Sequence, residues 1–173
     1  MFLMSKGEVC DLQLPLLIDF IGLLDEKITQ LLSQVDQYND GYNVGIYENT
    51  EYFIGIGFVA MQQYMVDTMW NSNIDKKTAL KYGSVSSNGK TCISLINSAA
   101  NWWKHEPEGK LSEYTFQDVF DISKSLEYPL SNVLALLCES NKVELLSVIR
   151  HLESWRDEFV TVVMNQKKTT SVY

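Results

Sequence analysis

The chain reads as all-α, a single-domain bundle of about six helices. Three observations carry that reading. Apolar residues recur at steps of three and four through most of its length. Clusters of turn formers break those runs at intervals, and no segment sustains a two-residue alternation. The 173 residues fit one domain over 1–173, and 46% apolar with 12% aromatic side chains suffices for a core.

The first helix lies in "LQLPLLIDFIGLLDEKITQLLSQV", with apolar side chains at 17, 20, 21, 24, 28, 31, 32 and 35. Pro15 belongs in a first turn, so the helix starts near 12 to 15. "DQYNDGYNVG" stops it, and "GYNVGIYENTEYF" holds the one β element expected, a short hairpin over 42–54. A second helix follows, capped by Asn49 or Thr50, with Phe53, Ile54, Phe58, Met61, Met65 and Met69 on its stripe. "DKKTALKY" is a short third element ended by Gly83. The fourth runs through "TCISLINSAANWWKH" to just before Pro107. Thr115 and Asp118 read as the capping box of a fifth. Pro129 separates it from a sixth in "SNVLALLCES", and the last carries Leu145, Ile149, Leu152, Trp155 or Arg156, Phe159 and Val163 on one face. Residues 166–173 read as a frayed tail.

Twenty-two acidic against fourteen basic side chains give a net charge of −8, and only Arg150 and Arg156 are arginines. Phosphate backbones are held by clustered cations, so the balance disfavours direct nucleic-acid binding and favours a basic protein partner. The few cations are not expected to gather into a reactive pocket. Cys10, Cys92 and Cys138 are too few and too far apart for a zinc site, and their odd number suits a reducing compartment. No metal or other cofactor is implied. No leader or membrane-length apolar run appears, and the expected location is the cytoplasm.

Three motifs invite chemistry. "IGIGFVA" matches the G-x-G-x-x-A nucleotide fingerprint at Gly55 and Gly57, but helical periodicity runs through both glycines, so close packing explains them better. "INSAANWWKHEPEG" places Lys104, His105 and Glu106 beside two tryptophans. His105 could move a proton near neutral pH, although a cation at a helix C-terminus is the simpler reading. Arg150 and His151 are adjacent on the last helix, pointing about 100° apart.

The "INSAANWWKHEPEG" stretch resembles uncharacterised bacterial helical proteins distantly similar to the HEPN superfamily, domains frequent in toxin–antitoxin and phage-defence systems. Catalytic members of that superfamily carry an arginine followed four to six residues later by a histidine. Here Arg150 is followed at those distances by Ser154, Trp155 and Arg156. Asn101, Lys104 and His105 are the matching positions.

With no assembled catalytic set, a binding role is favoured over an enzyme. The expected function is that of an immunity protein or antitoxin: an acidic helical protein that neutralises a basic partner such as a nuclease toxin. The expected contacts lie in two runs. Asp36, Tyr38, Asp40, Tyr42, Tyr47, Glu48 and Glu51 form the first, and Glu106, Glu108 and Glu113 the second. The alternatives are a HEPN-like nuclease using Lys104, His105, Arg150 or His151, and a non-catalytic regulatory module, with homo-oligomers through apolar helix faces.

Overall fold

The computed structural model describes residues 2–5, 8–35, 45–70, 72–139 and 142–170. Among them are seven α-helices: α1 (Leu14–Leu32), α2 (Ile46–Met69), α3 (Lys76–Ala79), α4 (Cys92–His105), α5 (Glu113–Ser123), α6 (Pro129–Cys138) and α7 (Ile149–Thr170). A 3-10 turn over Leu145–Val148 leads into α7. The fold is all-α apart from one two-stranded hairpin, β1 (Phe2–Ser5) with β2 (Glu8–Asp11), antiparallel with Phe2 opposite Asp11.

That hairpin corrects the expectation of one over 42–54. From residue 46 onward the segment is helical, because the stripe through Ile46, Ile54, Phe58, Met61 and Met65 buries against the core. Gly45 starts the helix at φ +65°, so neither Asn49 nor Thr50 is its cap. Residues 42–44 lie outside the described residues. The cap of α5 also moves: Ser112 Oγ accepts the Thr115 amide at 3.1 Å, which frees Asp118 for the interior. α7 runs to Thr170, into the stretch expected as tail.

α4 is the hub, with residues 92–100 all buried and contacts to α2, α5, α6 and α7. Such burial demands small and apolar residues, and Ala99, Ala100 and Ser98 let neighbours approach. The α7 stripe is buried as its spacing requires: Leu145, Ile149, Leu152, Trp155, Phe159 and Val163 all face inward, Trp155 rather than Arg156. Gly55 and Gly57 are packing glycines. A Cβ on Gly55 would lie 1.8 Å from Trp103 Cδ1, and one on Gly57 2.7 Å from a Leu145 methyl.

Part of the acidic excess is used inside the fold. Asp11 Oδ1 accepts the Gln13 and Leu14 amides at 3.0 and 3.1 Å, capping α1, and its other oxygen takes Tyr64 and Arg156. Burial pushes its pKa up, but those hydrogen bonds outweigh it and hold the carboxyl below its ordinary value. Asp25 accepts the Leu145 and Leu146 amides, both at 2.9 Å, and tethers α1 to the 3-10 turn. One buried side-chain atom among the described residues lacks a partner, the Thr50 hydroxyl.

Candidate functional site

α4 carries a polar stripe on an otherwise apolar helix. Asn97, Asn101 and Lys104 follow at steps of four and three, which puts them on one face. They meet Gln62 of α2. Gln62 Nε2 donates to Asn97 Oδ1 at 2.7 Å and to Asn101 Oδ1 at 3.0 Å, while Lys104 Nζ donates to Gln62 Oε1 at 2.6 Å. Gln62 is buried, so these bonds satisfy an amide that would otherwise be costly there. Desolvation lowers the Lys104 pKa from its usual value.

Beyond this network, the C-terminal end of α4 opens into a groove of about 820 Å³. The two tryptophans part as neighbours on a helix must. Trp102 turns inward and stacks on Phe116, centroids 5.9 Å apart, with Phe120 stacked beyond. Trp103 lies over Gly55 and meets Tyr52 edge-on at 5.5 Å. Tyr52 at 55% and Leu126 at 64% exposed leave apolar surface open to solvent on the groove wall. Glu106 and Glu108 stand on its edge, both exposed. Lys110 pairs with Glu108 at 3.1 Å, an exposed pair that contributes little.

The predicted residues divide sharply. Asp36, Tyr38, Asp40 and Tyr42 lie outside the described residues. Tyr47 packs on Tyr128 at 5.7 Å, and Glu48 accepts from the Tyr128 hydroxyl at 3.5 Å. Glu51 is no free contact. Its two oxygens accept the Leu130 amide and the amide and hydroxyl of Ser131, so it caps α6 from α2. Burial raises its pKa against the pull of those bonds. Glu113 is exposed in the first turn of α5, and its side chain does not line the groove.

His105 ends α4 half exposed, its Nδ1 4.0 Å from a Glu108 oxygen. His151 is buried: Nδ1 lies 2.7 Å from Ser84 Oγ and Nε2 2.9 Å from the Leu137 carbonyl. The carbonyl can only accept, which puts the ring proton on Nε2 and leaves Nδ1 to accept from the serine. Arg150 donates to the Leu137 and Cys138 carbonyls and to Glu139, at 3.3 to 3.5 Å. Both side chains thus serve the C-terminal end of α6, where orphan carbonyls attract donors.

Four lysines do come together: Lys76, Lys77, Lys81 and Lys90 line a single cavity beside the N-terminal half of α4. The signal was present in the sequence, since residues 76–104 hold five lysines and no acidic residue. A chain-wide charge count hides it.

Among the described residues no group of three or more histidine, cysteine or carboxylate side chains is placed to hold a metal ion. Cys92 and Cys138 are free and buried. No helix in the described residues is long and apolar enough to cross a membrane. Compared with protein-family models, curated proteins and solved structures, the chain matches none of them. The HEPN resemblance therefore rests on residues 96–109 alone.

Proposed function

We propose that this chain is an acidic helical interaction protein that binds and neutralises a basic protein partner, in the manner of an immunity protein or antitoxin, and that the groove at the end of α4 receives it. The observation that carries this reading is the conjunction of open aromatic surface with an acidic edge. Tyr52, Trp103, Phe116 and Leu126 offer anchors, and Glu106 and Glu108 offer charge beside them.

An interface of this kind draws its affinity from a few buried aromatic or aliphatic anchors, each worth about 1.5–3 kcal/mol on full burial. The acidic edge and the net charge of −8 speed encounter with a cationic surface and fix its register. The matching segment bears lysine or arginine beside apolar side chains, which is the composition of a basic active-site rim on a nuclease toxin. Of the two acidic runs, the second supports the reading better, since Glu51 of the first is held as a helix cap.

The test is a titration of the purified protein against the basic proteins encoded beside it, with growth rescue on co-expression as the functional readout. A stable complex is expected, weakened roughly tenfold or more in Glu106→Lys/Glu108→Lys. Affinity that ignores this reversal and Tyr52→Ala would place the contact elsewhere. Failure of every neighbouring product to bind or be neutralised would end the reading.

A further inference from the structure

We propose that the lysine-lined cavity between α3, the turn before α4 and the N-terminal half of α4 binds a small organic phosphate of nucleotide size. The cavity measures about 760 Å³, within the range of small-molecule sites. Lys76, Lys77 and Lys81 come from α3 and the turn after it, and Lys90 from the turn entering α4. Four lysines from two segments line one space, and one of them, Lys90, has its counter-anion in Asp118. The other three bring charge of one sign to the same wall, which a bound anion would balance.

The nearby carboxylates do not supply that anion. Asp75 accepts the amide and hydroxyl of Thr78, capping α3, at 3.0 and 2.7 Å. Asp118 is buried, holding Lys90 on one oxygen and Ser98 Oγ on the other at 2.6 Å. Lys76, Lys77 and Lys81 form no ion pair with any described residue. Lys90, fixed by Asp118, is the rigid member, and the other three are long exposed arms that can close on a phosphate.

The remaining lining says what kind of phosphate. Asn97 offers an amide N–H to a ligand oxygen, and Ser94 Oγ, which donates to the Thr91 carbonyl at 2.8 Å, can accept from a sugar hydroxyl. Leu80 and the exposed ring of Tyr114 add a flat apolar wall on which a base can stack. A bare phosphate would leave that wall unused. Desolvation first, and then the charge of Lys104, hold the Lys76 ammonium below its usual pKa, and an anion beside it would favour the charged form. Nothing in this inference depends on the aromatic groove.

Calorimetric titration with ATP, adenosine, inorganic phosphate and a single-stranded RNA oligonucleotide tests it. ATP is expected to bind more tightly than inorganic phosphate, with adenosine silent and affinity falling as salt rises. Lys77→Gln/Lys81→Gln, both exposed and so compatible with the fold, is expected to weaken ATP by about tenfold or more, and Lys27→Gln on α1 to leave it unchanged. Three results would each overturn the proposal: no heat with ATP, equal affinity for ATP and inorganic phosphate, or a lysine double variant that binds as wild type. RNA binding far tighter than ATP at matched salt would also overturn it, in favour of a polynucleotide surface.

Discussion

The two ends of α4 meet solvent in opposite ways. At the N-terminal half, the charges that line the cavity are almost all uncommitted, since three of its four lysines pair with no described residue and only Lys90 is anchored. At the C-terminal end, the groove is made of side chains already at work in the core. Trp102 stacks on Phe116, Trp103 fills the space over Gly55, and Glu51 on the wall caps α6. Lys76, Lys77 and Lys81 in the cavity can therefore change with little effect on folding, whereas a residue in the groove carries stability and surface together. The variants below separate those two behaviours.

Gly55→Ala should have the largest effect. The added methyl would sit 1.8 Å from Trp103 Cδ1 and 2.4 Å from Cγ, so the indole must leave its place. Overpacking of this kind costs about 3 kcal/mol, read as a lowered urea midpoint with unchanged slope. The groove should lose its partner while ATP binding at the cavity persists below the unfolding transition. Trp103→Ala supplies the check. If the clash is the cause, adding Gly55→Ala to Trp103→Ala should cost almost nothing further, and two additive losses would show that Gly55 acts elsewhere.

Glu51→Ala comes next and divides the acids of the groove from one another. Removing its carboxylate strips the Leu130 and Ser131 amides of their acceptor at the start of α6, a cap loss of about 2 kcal/mol. Partner affinity, measured where the protein is still folded, should stay close to wild type. The reverse pattern is expected of Glu106→Lys/Glu108→Lys, which should leave the midpoint almost unmoved. An affinity loss in Glu51→Ala as large as in the double reversal would make Glu51 a contact after all.

How much of this was legible follows from where each signal lives. Helices whose stripes repeat in sequence were readable in order, and the last of them buries every residue its spacing selects, whereas α1 leaves Phe20 and Leu32 of its stripe exposed. The packing role of Gly55 was readable because periodicity passed through it, although its partner was not, since Trp103 lies forty-eight residues away. The hairpin was misplaced because four-residue strands carry too few alternations to compete with a turn-rich stretch such as 42–54. Carboxylate roles were the least legible. Glu48 and Glu51 look alike in sequence, yet one is exposed and the other holds the N-terminus of a helix seventy-nine residues on. Long-range caps leave no local pattern. The lysine run could have been found, because it is a local bias in charge; averaging over the chain concealed it.

The smallest expected effect belongs to a region that is part of neither site, and it tests whether histidine chemistry enters at all. His151 is buried, and desolvation first, then the charge of Arg150, lower its pKa below the ordinary 6.5, against the opposing pull of the Leu137 carbonyl and Glu139. Ser84, which donates to Nδ1, also lies beside the Cys92 thiol, a group whose pKa burial raises. The folded chain thus keeps this ring neutral at a pH where the unfolded chain begins to take up a proton. Between the folded value and 6.5 the unfolded state binds more protons, so stability is fully present above that window and falls as pH drops through it. A series of urea midpoints from neutral pH downward should decline below about 6.5 in wild type and decline less steeply in His151→Gln, whose side chain cannot titrate there. Equal slopes in the two proteins would mean that the imidazole is protonated in the fold, and would return it to the set of groups able to act on a proton.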